Sequence, residues 1–194
     1  MNSQKLILGI LTCFISTNLL AQTENSLPVK KHKFAFYAGL GPNIYFNNLV
    51  LAKKYVNENN YSVAGRFMWE PEHLLSLGVE SGYYRMYTLD FGGQSDVTIS
   101  NSAIPIHLVV CMKFLKTFYF NFASGQSILL NNVSNYKNSE INTSVLSLGD
   151  FAGSIGYRNQ FMDRISLGGE IKYFYSSKLN DKNIALLFMV GFNI

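Results

Sequence analysis

The sequence is poor in charge, in cysteine and in long apolar runs, and each shortage narrows the possible folds. Charged residues make up 14% of the 194-residue chain, against about 25% in a typical soluble domain. Beyond the first 20 residues, no continuous apolar run reaches the length of a membrane-spanning helix. No pair of His or Cys residues has the spacing of metal ligands. The sequence therefore predicts neither helical membrane spans nor a metal site.

The first 21 residues have the pattern of a secretion signal. A short start with one basic residue, Lys5, precedes the apolar run Leu6–Leu20 and the small residue Ala21. This pattern predicts export and cleavage after Ala21. Two alternatives are a membrane anchor and a lipoprotein modified at Cys13, but polar residues interrupt the run, and the run continues past the cysteine.

Cleavage would leave 173 residues (194 minus 21), which suits a single domain. Removing Lys5 leaves 15 basic and 12 acidic residues, a net charge of +3. A charge this small gives no support for a nucleic-acid partner. Cys111 would be the only remaining cysteine, so no intramolecular disulfide is expected. Residues 22–33 include the basic run Lys30–Lys33 and are predicted to form a solvated periplasmic tail.

The rest of the chain alternates between apolar and small or polar residues. In the clearest segment, Ile106 and Leu108 alternate with Pro105, His107 and Val109. Because successive side chains of a strand point to opposite faces, this period of two predicts β-strands. Eight strands are predicted, at about Phe34–Tyr45, Tyr61–Glu70, Leu75–Tyr87, Ala103–Phe114, Phe118–Ile128, Ser144–Tyr157, Arg164–Tyr175 and Asn183–Ile194.

The predicted connections alternate between short and long. The short ones fall near residues 71–74, 115–117 and 158–163, and the longer ones near 46–60, 88–101, 129–143 and 176–182. Outer-membrane barrels have short periplasmic turns and longer external loops. This order therefore predicts a closed antiparallel barrel whose longer connections are external.

Cross-strand matching predicts the register of two hairpins. Folding about Lys116 places Met112 opposite Phe120 and Cys111 opposite Asn121. Folding about Phe161 places Ile155 opposite Leu167 and joins an acid to a base, Asp150 to Lys172. Both arrangements bring together side chains that stabilise neighbouring strands.

The distribution of charge predicts which face is internal. Alternate residues of a strand share one face, and we call each such set of positions a parity. One parity contains many Gly, Ala and Ser residues and also carries the charged residues Arg66, Glu80, Lys113, Asp150, Arg164, Glu170 and Lys172. The other parity is aliphatic and aromatic, with Arg85 as its chief exception; Val145, Tyr83 and Tyr87 are assigned to it. An eight-stranded barrel has room inside only for packed side chains. We therefore predict structural charge pairs in the lumen, formed by Arg66, Glu80, Asp150, Glu170 and Lys172.

Three segments resemble a known family. They are Phe36–Gly41 in the first strand, Leu75–Glu80 in the third and Ala103–Leu108 in the fourth. The chain resembles the small outer-membrane β-barrel family that includes PorT-like and OmpX-like proteins. The resemblance implies an all-β, eight-stranded antiparallel transmembrane barrel over residues 34–194, located in the cell outer membrane. It also implies membrane lipid and the outer-membrane assembly machinery as partners, and no single activity.

The main functional hypothesis is an integral outer-membrane barrel with a structural, adhesive or binding role through its external loops. One alternative is a soluble secreted or periplasmic barrel that binds an apolar ligand. Another is a barrel enzyme acting on lipids, because His107, Asp150 and several serines share the inward parity. No local motif joins these residues, so the sequence predicts no enzyme, no catalytic or cofactor-binding residues and no cofactor.

Overall fold

The computed structural model describes residues 34–46, 56–71, 74–91, 97–114, 117–136 and 139–194. The predicted signal peptide 1–21 and tail 22–33 lie outside these described residues, as do residues 47–55 of the first long connection. No helix long and apolar enough to cross a membrane occurs in the described ranges.

The described chain is built from strands. Their bounds are β1 Phe34–Phe46, β2 Val56–Asn57, β3 Asn59–Trp69, β4 Leu75–Phe91, β5 Val97–Phe114, β6 Phe118–Tyr136, β7 Ser139–Gln160, β8 Ile165–Ser176 and β9 Asp181–Asn193. The two-residue β2 pairs only with β4 and lies just before β3 in the chain. The other eight strands agree with the number predicted from the alternation.

The eight strands close into an antiparallel barrel, which confirms the predicted fold. Each pairs with its neighbours in sequence, and β1 pairs with both β3 and β9, so that the first and last strands meet. The pairing of β4 with β5 completes the ring. Closure satisfies the backbone polar groups of both strands in every pair, which a barrel needs in a medium without water.

Burial follows the alternation along the strands of the barrel wall. Outward Leu108 is 72% exposed, whereas its inward neighbour His107 is 1% exposed. Along β1, outward Phe36 and inward Tyr37 differ in the same way. Apolar side chains thus cover the outside, which confirms the predicted faces. The lumen holds small, polar and charged side chains together with some large ones, such as Tyr84 and Phe174.

The structure confirms one predicted hairpin register and corrects the other. Met112 faces Phe120 and Cys111 faces Asn121, as the fold about Lys116 predicts. In the β7–β8 hairpin, however, Lys172 faces Ser154 and Ile155 faces Ile171. The predicted pairing of Asp150 with Lys172 is therefore wrong. The reason is that β7 runs on to Gln160, so the turn is confined to residues 161–164.

Two bulges change the parity of a strand and correct two outward assignments. Leu148 pairs with Gln126 and Asp150 with Gly125, so Gly149, at a φ of 77°, is the extra residue. On the far side of this bulge, Val145 pairs with the buried Leu129 and so belongs to the inward parity. A residue with positive φ that bends a strand is typical of a glycine bulge.

The second bulge lies at Met86 in β4. Arg85 pairs with Ser102 and Tyr87 pairs with Asn101, so Met86 has no partner of its own on β5. Tyr87 was predicted to be outward, but it faces inward and its ring packs 4.9 Å from the ring of Tyr45. A third correction concerns Arg164, which lies in the exposed turn before β8 and not in the lumen.

Two of the predicted long connections are largely strand. Segments 88–91 and 97–101 belong to β4 and β5, and segments 129–136 and 139–143 belong to β6 and β7. These strands pair as far as Phe91 with Val97 and Tyr136 with Ser139. The barrel wall therefore continues on one side as a projecting sheet. We call residues 97–102, 130–136 and 139–144 the outer sheet, and the opposite end of the barrel, near residues 161–164, the turn end.

Candidate functional site

Four predicted lumen residues meet in a buried ion cluster at the middle of the barrel. Arg66 binds Glu80 through Nη2, at 2.6 Å from Oε2, and through Nε, at 2.9 Å from the same oxygen. It binds Glu170 with Nη1 at 3.1 Å from Oε2 and Nη2 at 2.9 Å from Oε1. Lys172 forms an ion pair with the other oxygen of Glu80, Oε1. Two cations and two carboxylates leave this central cluster without net charge.

Neutral donors complete the hydrogen bonding of Glu170. The Tyr119 hydroxyl donates to its Oε2 at 2.9 Å, and Asn121 Nδ2 donates to the same atom at 3.3 Å. Buried charges are costly unless they are paired and hydrogen-bonded. Every charge in the central cluster has such a partner, so the cluster is suited to hold the barrel walls together.

A second buried cluster at the turn end is centred on Glu70. Tyr37 OH donates to Glu70 Oε1 at 2.6 Å, and Lys113 Nζ lies 2.5 Å from Oε2. Arg158 Nη2 is 3.7 Å from Glu70 Oε1, and its guanidinium lies over the Tyr37 ring, 4.1 Å from the ring centre. The sequence analysis missed Glu70 and Arg158, although both continue the inward parity of their strands.

Asp150 lies apart from the central cluster. Its Oδ1 accepts hydrogen bonds from Ser147 Oγ at 2.6 Å and from the backbone N–H of Ser177 at 2.8 Å. These contacts join the bulge of β7 to the turn between β8 and β9. Asp150 therefore fixes the backbone at this point and takes no part in the predicted pair with Lys172.

His107 packs among aromatic side chains. Its ring is stacked 5.9 Å from the ring of Phe174, which in turn stacks 5.3 Å from Tyr84. Within the described part of the chain, neither ring nitrogen of His107 has a hydrogen-bond partner. A hydrolytic triad needs a nucleophile, a base and an orienting acid within hydrogen-bond reach. His107 makes no such bond to Asp150 or to a serine, so the structure does not assemble the arrangement of the enzyme alternative.

The outer sheet carries polar residues on the face that is apolar lower down the barrel. Below the sheet, the outward row consists of Ile104, Ile128 and Leu146. The next two outward rows are Ser102, Leu130 and Ser144, and then Ser100, Asn132 and Asn142. The chemistry of the outer surface therefore changes from apolar to polar within a single row.

These polar rows border a shallow cleft of about 390 Å³. Tyr83 forms part of its wall, and the Tyr83 hydroxyl lies 2.7 Å from Ser102 Oγ. Asn132 Nδ2 donates to Asn142 Oδ1 at 2.6 Å across the neighbouring strands. The lining contains hydroxyl and amide groups but no charged side chain. The sequence analysis placed most of these residues in connections, with only Tyr83 and Ser144 inside predicted strands, and it did not predict the cleft.

One edge of the outer sheet is open. The first residue of β7 that pairs with β8 is Phe151, and β8 ends at Ser176. In the described residues, no strand pairs with the side of β7 that faces away from β6 between Ser139 and Ser147. An open strand edge presents unpaired backbone groups that another chain can extend.

No family model matches the sequence, and no curated protein matches it. The structure is similar to that of Ail, the attachment invasion locus protein of Yersinia pestis, solved in complex with the heparin analogue sucrose octasulfate. The TM-score is 0.56 at 9% identity, over 85% of this chain and 100% of Ail. It is also similar to Neisserial surface protein A, with a TM-score of 0.53 at 12% identity, over 84% of this chain and 97% of that protein. At these identities the likeness establishes the shared barrel fold.

Proposed function

We propose that this protein is an integral outer-membrane β-barrel that binds a partner through its outer sheet and has no catalytic role. The observation that carries the proposal is the apolar band around the barrel. On β5 its outward residues run from Ile104 to Phe114, ten residue steps. At about 3.3 Å per residue and a tilt of about 40°, this length spans about 25 Å along the barrel axis, the height of the apolar band in outer-membrane barrels.

The same band argues against the soluble alternative. Exposed large apolar residues occur on all eight strands of the barrel, with Leu40, Phe67, Val79, Leu108, Phe122, Ile155, Ile171 and Phe188 as examples. A soluble monomer rarely exposes a continuous apolar patch larger than a few hundred Å². A soluble barrel for an apolar ligand would need an open apolar lumen, whereas this lumen is occupied by two charge clusters and by packed rings such as those of Tyr84 and Phe174.

The filled lumen and the projecting outer sheet together favour a binding role over a transport role. The central cluster and the Glu70 cluster occupy the barrel interior with buried side chains, as expected for eight strands. β5, β6 and β7 are 18, 19 and 22 residues long, although about 9–11 residues cross a bilayer. The excess length raises a polar surface with an open edge above the membrane.

The proposed orientation places the outer sheet outside the cell and the turn end in the periplasm. This follows from the general arrangement of bacterial barrels, in which short turns are periplasmic. Export would use the signal peptide 1–21, and the barrel would be inserted by the assembly machinery.

We further propose that the chain belongs to the PorT-like or OmpX-like group, which the three sequence segments and the barrel fold support. The ligand-bound structure of Ail, a barrel of the same fold, adds support for a binding role.

Membrane fractionation tests the proposal. The protein, expressed with its full sequence in a Gram-negative host, should be recovered from the outer-membrane fraction only with detergent. On unheated gels it should migrate differently from the boiled sample, because a closed barrel resists unfolding. Recovery in the soluble periplasmic fraction without detergent would contradict membrane insertion.

A further inference from the structure

The cleft on the outer sheet lies immediately above the apolar band. Ile104 is the first residue of the apolar outward run on β5, and Ser102 and Ser100 precede it by two and four residues. At about 3.3 Å per residue along a tilted strand, the cleft spans roughly the first 10 Å beyond the apolar boundary. If the barrel is inserted as proposed above, on which this inference rests, the cleft opens sideways into the lipid headgroups and not toward bulk water.

The lining of the cleft suits a hydroxyl-rich ligand. Ser100, Ser102 and Ser144 can each donate and accept a hydrogen bond. The bond from Asn132 to Asn142 uses one donor and one acceptor, so each amide keeps further hydrogen-bonding capacity. Tyr83 contributes an aromatic wall beside these polar groups. The volume of the cleft, about 390 Å³, is within the range of about 300–1,000 Å³ that is usual for small-molecule sites.

Arg85 adds a positive charge beside the cleft. It lies directly opposite Ser102 on the neighbouring strand β4, and both residues belong to the outward parity. Its Nε is buried and has no hydrogen-bond partner among the described residues. An unpaired guanidinium donor is costly to bury, and its planar arrangement of donors matches a phosphate well.

We propose that the cleft and Arg85 together bind the phosphorylated sugar headgroup of a glycolipid in the outer leaflet. The sugar hydroxyls contact Ser100, Ser144 and the Asn132–Asn142 pair, and the phosphate contacts Arg85. The acyl chains then lie against the apolar row formed by Ile104, Ile128 and Leu146. This arrangement places each part of an amphiphilic ligand against a surface of matching chemistry.

Nanodiscs with and without purified lipid A test this assignment. Lipid A is the probe because it is a phosphorylated disaccharide that carries acyl chains. The protein in phosphatidylcholine discs containing lipid A should have a higher unfolding temperature than in discs containing phosphatidylglycerol at the same charge. Native mass spectrometry after gentle extraction should detect bound lipid A.

Three variants separate the parts of the site. Arg85→Gln and Asn132→Leu should each weaken lipid A binding by about tenfold or more, the loss expected for one charge-assisted or well-formed hydrogen bond. Asn159→Leu is the matched control, because Asn159 is an exposed residue of β7 near the turn end, at the opposite end of the barrel from the cleft. Dephosphorylated lipid A should bind wild-type protein and Arg85→Gln equally. Heat-modifiable migration verifies that every variant is folded.

Two results would overturn the inference. One is equal unfolding temperatures in lipid A and phosphatidylglycerol discs, and the other is unchanged lipid A binding by both Arg85→Gln and Asn132→Leu. Binding of a soluble phosphorylated disaccharide with no preference for the lipid would also reject the headgroup assignment. A protein that enters discs but shows no preference retains the proposed membrane location, whereas one that fails to enter any disc contradicts the proposed function itself.

Discussion

Arg66 on β3 and Glu170 on β8 join two walls of the barrel through a pair of hydrogen bonds, at 3.1 and 2.9 Å. The two strands are separated by β1 and β9 in the ring, so this contact crosses the lumen and is not a contact between adjacent strands. A two-point contact between guanidinium and carboxylate is both strong and directional. It therefore fixes the distance between the walls.

Removing Arg66 should destabilise the barrel severely. In Arg66→Leu, Glu170 loses its ion-pair partner and keeps only hydrogen bonds from the neutral donors Tyr119 and Asn121, and Lys172 alone is left to balance two carboxylates. Breaking a buried pair in this way costs about 3–5 kcal/mol. The double variant Arg66→Leu with Glu170→Leu should recover part of that loss. Urea unfolding of the folded barrel in lipid vesicles measures the stability of both variants. A double variant less stable than Arg66→Leu alone would contradict the role of the Arg66–Glu170 contact in holding the two walls together.

The corrected register predicts which lumen pairs are coupled. Lys172 contacts Glu80 in the central cluster, whereas Asp150 bonds Ser147 and Ser177. Lys172→Leu and Glu80→Leu should therefore show a coupling energy of about 0.5–3 kcal/mol in a double-mutant cycle. Lys172→Leu and Asp150→Leu should instead be additive within about 0.5 kcal/mol. Unfolding free energies measure both cycles, and a strong coupling of Asp150 to Lys172 would restore the predicted register.

The alternation in the sequence was enough to predict the faces of the barrel, but not the partners inside it. Sliding one strand along its neighbour by an even number of residues leaves every side chain on the same face of the sheet. The pattern therefore allows Lys172 to lie opposite either Asp150 or Ser154. The contact of Arg66 with Glu170 depends in addition on the stagger of strands that are not neighbours, which no local pattern records.

The outer sheet was not predicted because its composition is typical of loops. Asn and Ser are depleted in strands and favoured in turns. Here they are held in strands by side-chain contacts, as in the bond from Asn101 Nδ2 to Asn131 Oδ1 at 2.5 Å. The bulges at Met86 and Gly149 were also missed. One extra residue is not visible in an alternating pattern, because only the residues beyond it change face.

Gly149 should be required for the bulge of β7. Its φ of 77° lies in the left-handed region, where a residue with a Cβ costs about 1–2 kcal/mol. Gly149→Val should therefore lower the unfolding free energy by at least about that amount. Gly153→Ala is the control on the same strand, because an added Cβ would meet no atom within 4 Å there. Equal stability of Gly149→Val and wild type in urea titrations would show that the bulge does not depend on glycine.

Cysteine labelling should report the proposed orientation. In a Cys111→Ala background, Asn142→Cys on the outer sheet and Asn59→Cys at the same end should react with an impermeant thiol reagent on intact cells. Met162→Cys, in the exposed turn 161–164 at the other end, should react only after the outer membrane is permeabilised. Mass tagging of the extracted protein measures the labelling. The reverse pattern would invert the topology.

Charge introduced into the apolar band should impair membrane assembly according to its depth. Leu108 and Ile171 are outward residues near the middle of β5 and β8, and they are 72% and 54% exposed. An arginine or lysine at the bilayer midplane of a barrel costs about 2–4 kcal/mol, but only about 0–1 kcal/mol near the interface. Leu108→Arg and Ile171→Lys should therefore lower the yield of heat-modifiable protein in the outer membrane. Asn142→Arg, on the polar outer sheet, should assemble as well as wild type. Normal assembly of both band variants would mean that these faces do not contact lipid.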